Sequence, residues 1–348
     1  MVDSKQQWKA WLYLSPAIVL LLVFTVWPII NTVRISLLEG YNSMAAMGGT
    51  QFNIGFGNFL KVMEFPDFLV CLKNTILLCF LTVPISTLLA LLIAVALNSI
   101  RPLQKFLQTI FFLPYVTNSI AIGMVFAAMF NIIGLRGGAG VTAAEGTIVY
   151  EPGVIYNLLT MLGLDAGQII GLREGMFADT WGIVNNVLMV FGLEPINWAN
   201  QGSSYVANII VMTVYIVWNA LPFKILILLG GLQSINKQYY DAARVDGTSR
   251  RRVLTKITVP LLSPMLAYVI ITGFIGGFKE YSSIVGIFGE TMGPPAAAGR
   301  LNTMVGFIYD SLETSSQGKA SAAALILFGI ILVVTMINLQ VSKKKVHY

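Results

Sequence analysis

The sequence predicts an all-α membrane protein with six transmembrane helices, on three observations. Of 348 residues, 56% are hydrophobic and only 11% charged, with a mean hydropathy of +0.76; ordinary soluble domains carry about a quarter charged residues. The apolar residues fall in uncharged runs long enough to cross a bilayer, which takes roughly 20 residues of helix. The basic residues gather beside the ends of those runs, so the net charge of +6 marks membrane flanks and not affinity for nucleic acid.

The first run lies between Lys9 and Arg34, with Trp8, Trp11 and Trp27 near its ends, where amphipathic rings prefer the interface. It is too long, and lacks the small-residue cleavage site, to be a removable signal peptide. The second run falls between Lys73 and Arg101, and the third between Lys105 and Arg136. The fourth begins near Tyr205 and ends near Leu232, interrupted by Lys224. The fifth spans about Leu261 to Phe278, and the sixth lies between Lys319 and Lys343. The chain thus divides into an N-terminus (1–10), three spans (11–134), a long connection (135–204), three more spans (205–342) with a basic loop at 233–260, and a tail (343–348).

Six spans place both termini on one side, and the basic residues choose it. The first ten residues, the Asn98–Lys105 turn, the 233–260 loop and the KKK tail hold thirteen of the 22 Lys/Arg. Gly137–Ser204 carries six acidic residues against one Arg. The positive-inside rule then puts both termini and the 233–260 loop in the cytoplasm. The outer connections are Leu38–Val70, Leu135–Ser204 and Glu290–Gly318.

The middle connection contains a short internal repeat. GVIYNLLTMLGLD from Gly153 and GIVNNVLMVFGLE from Gly182 are offset by 29 residues and identical at five of thirteen positions. Each copy has helical apolar spacing but is too short to span. The copies read as two amphipathic helices lying at the outer membrane surface or capping the spans; a chance likeness between two apolar helices is the alternative.

Catalytic signatures are missing. No G-x-x-x-x-G-K-[ST] occurs, so this chain has no P-loop for ATP. The pairs Gly48–Gly49, Gly137–Gly138 and Gly230–Gly231 read as turns or helix ends. Cys71 and Cys79 share one hydrophobic run, and the only histidine, His347, lies in the tail. That leaves no metal-ligand spacing and no nucleophile–base pair, and an intramembrane enzyme would have to rest on carboxylates alone.

Polar groups inside spans are costly, which makes them markers of a solute path. In the fourth span, Tyr215, Trp218, Asn219, Pro222 and Phe223 cluster beside Lys224. Trp218 and Asn219 suit a sugar, because an aromatic face stacks on C–H surfaces and an amide both donates and accepts hydroxyl hydrogen bonds. Pro222 removes a backbone bond and predicts a bend. In the fifth span, Gly273, Gly276, Gly277 and Glu280–Tyr281 either permit close helix packing or leave room for a solute. Pro114, Tyr115, Asn118 and Ser119 interrupt the third. The expected place for the Lys224 ammonium is the cytoplasmic interface, reached by snorkelling, and Glu280 belongs near the outer end of its span. A direct pair between the two is not expected.

The basic loop between the fourth and fifth spans reads YYDAARVDGTSRRRVLTKITVPLLSP from Tyr239 to Pro264. DAAR reads as a helix start, with Asp241 at the positive end of the helix dipole. Gly247 reads as a stop, because Gly takes the left-handed conformation without strain. A second helical segment follows to Pro260. This pattern resembles the EAA loop of binding-protein-dependent ABC importer permeases, with Asp241, Ala242, Ala243, Gly247, Ile257 and Pro260 at the motif positions. Asp stands where the family has Glu, and Val259 where Leu is usual. The wider match is most like the sugar-importer branch, and the SPAIVLLLVFTVWP opening is similar to the first of its two permeases.

The resemblance implies a type I ABC importer permease fold with a helical extracytoplasmic insertion between spans three and four. It implies a non-catalytic subunit of the bacterial cytoplasmic membrane that imports a carbohydrate. The loop would dock on an ATPase. The expected partners are a second permease, two ATPase subunits holding ATP and magnesium, an extracytoplasmic solute-binding protein and membrane lipid, with no nucleic acid and no metal or cofactor on this chain. The expected solute path comprises Tyr215, Trp218, Asn219, Phe223, Gly273, Gly276, Gly277 and Glu280. The family has one copy of a segment like the repeat, so the second is a departure, expected to meet the binding protein or to stiffen the outer face. Another small solute, such as a glycerophosphodiester or a polyamine, and a structural membrane protein without a solute path are the rival readings.

Overall fold

The computed structural model describes residues 7–100, 104–137 and 148–345. Arg101, Gly138, Glu145 and His347 lie outside the described residues.

Helix α1 (Gln7–Leu21) passes through a π-turn, Leu22–Val26, into α2 (Trp27–Leu37). Short α3 (Ser43–Met47) and α4 (Gly57–Glu64) lead to the long α5 (Pro66–Ser99). Then come α6 (Gln104–Val116) and α7 (Ser119–Phe130). The long connection folds as β1 (Ile148–Val149), α8 (Val154–Met161), α9 (Ala166–Ile170), β2 (Phe177–Ala178) and α10 (Ile183–Val190), with the two strands antiparallel. Helix α11 (Tyr205–Ser234) precedes α12 (Lys237–Val245) and α13 (Arg250–Val253). A second π-turn, Leu254–Thr258, joins α14 (Val259–Leu261) to α15 (Ser263–Gly277) and α16 (Ser282–Phe288). The last helices are α17 (Met304–Glu313) and α18 (Gln317–Lys345).

The two π-turns share a cause. Each ends two residues before a proline, Pro28 and Pro260. A proline ring clashes with the carbonyl four residues back, here that of Phe24 or Lys256, and a wider turn relieves the clash. Helix α11, by contrast, continues through Pro222 without interruption.

Contacts divide the chain into two compact units, Met1–Leu69 with Met304–Ile330, and Val70–Thr303 with Ile331–Tyr348. In the first, the buried Asn58 side chain donates to the Ser36 and Leu38 carbonyls at 2.9 and 2.7 Å and accepts from Gly40 N–H at 3.0 Å, which ties α4 to the end of α2. The Lys319 ammonium lies over the Phe65 ring at 4.1 Å. In the second unit, α5, α11 and α15 share one apolar seam, with Ala90, Ala94 and Leu97 against Ile225, Leu228, Leu229, Leu232 and Val269. Another core gathers Phe130, Met212, Tyr215, Ile284 and Ile287 from α7, α11 and α16. Helices α7 and α16 cross on glycines: a methyl placed on Gly123 would stand 2.6 Å from the Gly286 Cα.

Among the described residues, four apolar helices are long enough to cross a bilayer: Trp8–Leu37, Pro66–Ser99, Tyr205–Ser234 and Gln317–Lys343. The pair Arg250–Leu261 and Ser263–Gly277, bent by 69°, makes a fifth if counted as one span. The continuous third run expected from the sequence is instead two helices, α6 and α7. The break is chemical. The Asn118 side chain accepts from Ile120 N–H at 2.8 Å and Ala121 N–H at 3.4 Å, capping a new helix where the apolar composition alone would have continued the old one.

Candidate functional site

Helices α5, α6, α11 and α15 surround a cavity of about 330 Å³, at the small end of the range for ligand pockets. Each helix contributes one face. Thr82, Val83 and Ser86 come from α5; Ile216, Asn219, Ala220, Phe223 and Lys224 from α11; Thr272, Gly273, Gly276 and Gly277 from α15, with Glu280 just beyond it. Tyr115 of α6 closes one side, its ring stacked on Phe223 at 5.9 Å and 17°. Hydroxyls, an amide and two stacked rings therefore line a space otherwise walled by small and apolar groups.

Lys224 is placed contrary to the sequence reading. It does not snorkel: it is 4% exposed, and its ammonium donates to Ser86 Oγ at 2.7 Å, Thr87 Oγ1 at 2.9 Å and the Val83 carbonyl at 3.3 Å. The reason is local chemistry on α5. Ser86 and Thr87 donate their own hydroxyl protons to the Thr82 and Val83 carbonyls at 2.6 and 2.7 Å. Their oxygens are then left as pure acceptors facing the ammonium. Three acceptors take up all three ammonium protons, so the cation is fully solvated by the protein. Glu280 lines the same cavity, yet among the described residues no ion pair joins it to Lys224. Its carboxylate instead accepts from Ser283 N–H at 3.2 Å in the first turn of α16, and Thr303 Oγ1 donates to its carbonyl at 2.8 Å.

The three glycines of α15 divide their work. A methyl on Gly277 would meet Cys79 Sγ at 2.8 Å, and one on Gly273 would meet Val83 at 3.1 Å and the Lys224 ammonium at 3.2 Å. Those two let α15 pack closely on α5. Gly276 has nothing within 4 Å and faces the open cavity.

Of the eight residues expected on the path, Asn219, Phe223, Gly273, Gly276, Gly277 and Glu280 line the cavity, and Tyr215 and Trp218 do not. The Tyr215 hydroxyl donates to the Ser119 carbonyl, and its ring packs on Phe126 at 5.0 Å. Trp218 also packs on Phe126, at 5.0 Å. Helical phase explains the split. At about 100° per residue, Ile216, Asn219, Ala220, Phe223 and Lys224 share an arc of about 140°, and Tyr215 and Trp218 fall outside it. The α5 contribution was missed, although Thr82, Ser86 and Thr87 at helical spacing in an apolar run were its visible signal.

The 233–260 loop holds a second constellation. Asp241 is not at a helix start, as the sequence predicts: α12 begins four residues earlier, because Asn236 caps it by accepting from Gln238 N–H at 3.0 Å. Asp241 lies mid-helix, 3.8 Å from Arg244. Gly247 does end α12, in the left-handed region at φ 65°, with Thr248 N–H returning to the Ala243 carbonyl at 2.9 Å. Ala242, Ala243 and Ile257 come together around a recess of about 390 Å³ with Tyr239 and Asp246. Pro260 lies in α14 beyond it.

Comparison with known proteins places this geometry. The family model described as "binding-protein-dependent transport system inner membrane component" matches residues 86–347. The lactose transport system permease protein LacF of Rhizobium radiobacter is 26% identical over 331 residues, covering 95% of this chain and 91% of that one. The sn-glycerol-3-phosphate transport system permease protein UgpA of Agrobacterium fabrum is 25% identical over 342 residues, covering 97% and 96%. A solved bacterial alginate ABC transporter, in complex with a periplasmic protein carrying an alginate pentasaccharide, contains a similar chain with a TM-score of 0.68 at 21% identity, covering 98% and 96%.

Proposed function

Because this chain belongs to the binding-protein-dependent transport system inner membrane component family, we propose that it is the permease subunit through which an ATP-driven importer moves a carbohydrate across the cytoplasmic membrane. The observation that carries this reading is the cavity among α5, α6, α11 and α15, whose hydroxyls, Asn219 amide and stacked Tyr115–Phe223 rings match the donors, acceptors and C–H faces of a sugar. The relatives' substrates support it, since lactose is the solute named for LacF. As a member of this family the chain is not an enzyme, and ATP hydrolysis belongs to separate subunits.

Six spans follow if α1–α2, α5, α6 with α7, α11, α13–α15 and α18 each cross once. Both termini and the 233–260 loop then lie in the cytoplasm, and the connection with α8 and α10 lies outside. Asp241, Ala242, Ala243, Gly247, Ile257 and Pro260 form the part that docks on an ATPase. The exposed Tyr239 and Val245 of α12 give that surface its apolar contacts. The loop joins α11 to α15, two walls of the cavity, so force applied there reaches the solute path directly. A second permease, two ATPases with their ATP and magnesium, and a solute-binding protein complete the assembly. Two states that the docked ATPase stabilises differently are what alternating access requires.

The UgpA relative raises a phosphorylated solute as a second reading. Lys224 weighs against it, because Ser86, Thr87 and Val83 already take its three protons and leave none for a phosphate. Uptake into proteoliposomes decides between them. Asn219→Leu should reduce sugar-driven ATPase activity and uptake at least tenfold, about 1.4 kcal/mol, without loss of assembly. Unchanged uptake would remove the cavity from the path. Ala243→Asp should abolish assembly with the ATPase, and a normal complex would refute the docking surface.

A further inference from the structure

The repeat in the long connection proves to be structural. Gly153 and Gly182 both sit at close contacts: a methyl would stand 2.6 Å from the Glu194 carboxylate in one copy and 2.4 Å from the Asn131 carbonyl in the other. Gly163 and Gly192 each end their helix at φ 72° and 73°. Leu164 N–H returns to the Leu159 carbonyl and Leu193 N–H to that of Leu188, both at 3.0 Å, the same helix-ending turn in both copies. The inward faces match as well: Ile155 and Leu159, like Val184 and Leu188, pack against buried cores.

The outward faces match in turn. Val154, Leu158, Met161 and Leu162 are exposed on α8; Ile183, Val187, Val190 and Phe191 are exposed at the equivalent positions of α10 and its end. Met161 and Val190, the outermost, are 86% and 81% exposed. No charge interrupts 152–164 or 180–193. The acids that close the two copies are engaged elsewhere: Glu194 accepts from Ile155 N–H at 3.0 Å and Asp165 from Gln168 N–H at 2.9 Å.

We propose that α8 and α10 are a paired interfacial anchor, whose apolar stripes insert into the headgroup layer of the lipid bilayer beside the ends of α7 and α11. Continuity with the spans argues for lipid. Gly182, the residue before α10, packs on the Met129 and Asn131 carbonyls at the end of α7. The exposed Ile133, bridged through its backbone to Thr180, links the exposed Met124 and Val125 of α7 to the α10 stripe. Eight-residue helices of about 12 Å are too short to span but suit lying in the interface plane. Composition points the same way. The eight exposed stripe residues are Val, Leu, Met, Ile and Phe only, with no polar or charged side chain among them, so what covers them need only be apolar. A bilayer, indifferent to shape, accepts the same stripe twice.

Spin labels test this on the full chain in its assembled transporter, reconstituted in phosphatidylethanolamine–phosphatidylglycerol nanodiscs. Met161→Cys and Val190→Cys are exposed and leave the fold intact, and native Cys71 and Cys79 are buried away from the reagent. Thr160→Cys reports the polar side of α8, and Val214→Cys, exposed on α11, reports a span. The anchor requires contact with oxygen over a nickel chelate to be several-fold higher at 161 and 190 than at 160, approaching the value at 214. Nickel accessibility at 161 and 190 equal to that at 160 overturns it. So does shielding from both reagents, before or after adding a solute-binding protein, since a protein then covers the stripes. Water access at 214 as well would strike the membrane reading itself, a result separable from failure of the anchor alone.

Discussion

Lys224 makes a quantitative test of how a charge survives inside this protein. Among the described residues its ammonium has no carboxylate partner and depends on Ser86, Thr87 and a backbone carbonyl. Hydrogen bonds to charged groups contribute about 1.5–3 kcal/mol each, whereas couplings between membrane helices average about 0.6 and reach about 1.7 kcal/mol. The short 2.7 Å bond to Ser86 belongs at the upper end, so Ser86→Ala should destabilise by about 1–2 kcal/mol. Lys224→Met keeps the stem and removes the charge, a change that is often neutral in buried sites. Ser86 and Thr87 retain their i−4 bonds and are not orphaned. In the Met background Ser86→Ala should therefore cost close to nothing. The assay is the double-mutant cycle, read from unfolding of the reconstituted chain in graded SDS. A coupling of about 1–2 kcal/mol is expected. Equal costs of Ser86→Ala in both backgrounds would show that the hydroxyl does not hold the cation.

The α15 glycines should separate packing from space: Gly277→Ala should cost about 1–3 kcal/mol through its clash with Cys79, while Gly276→Ala leaves thermal stability unchanged and acts only on uptake. Gly123→Ala forces a methyl onto the Gly286 backbone, so a loss of about 2–3 kcal/mol is expected, and a melting temperature equal to wild type would refute the α7–α16 crossing. Among the described residues the buried Tyr150 hydroxyl has no hydrogen-bond partner, so Tyr150→Phe should hold or raise the melting temperature, and a loss above about 1 kcal/mol would refute this. Burial, then Glu194 and Tyr156, push this phenol from 10.0 up to about 12; folding thus favours the neutral form, and the stability this confers below pH 10 is lost as pH rises towards 12. Tyr150→Phe should flatten that alkaline loss in a pH-resolved melt.

Phase and pairing separate what was legible from what was not. The long helices α5, α11 and α18 were plain because an uncharged run of that length has few alternatives in a membrane. The Gly247 stop and the two repeat helices were equally plain, since a glycine closing an apolar helical period acts locally. Asp241 was misplaced at a helix start because Asn236, five residues before it, offers the better cap. The polar residues that interrupt the third run were legible, but that Asn118 among them caps a new helix shows only in its bonds to the Ile120 and Ala121 N–H groups. Trp218 and Tyr215 were grouped with Asn219 by sequence proximity, though 3.6 residues per turn puts them on another face.

The sequence by itself determined that the chain is a multi-span helical membrane protein, that it has no P-loop motif, and where its basic loop lies. These follow from composition, length and local motif, quantities that do not depend on which helices meet. Only the tertiary structure decided what Lys224 does and which glycine opens the cavity. A buried ammonium at residue 224 and its acceptors at 83, 86 and 87 are some 140 positions apart in the chain. No local pattern encodes such a meeting. It is set by the packing of α5 on α11 and α15, where Gly273 and Gly277 allow the backbones close enough for those hydroxyls to reach the charge.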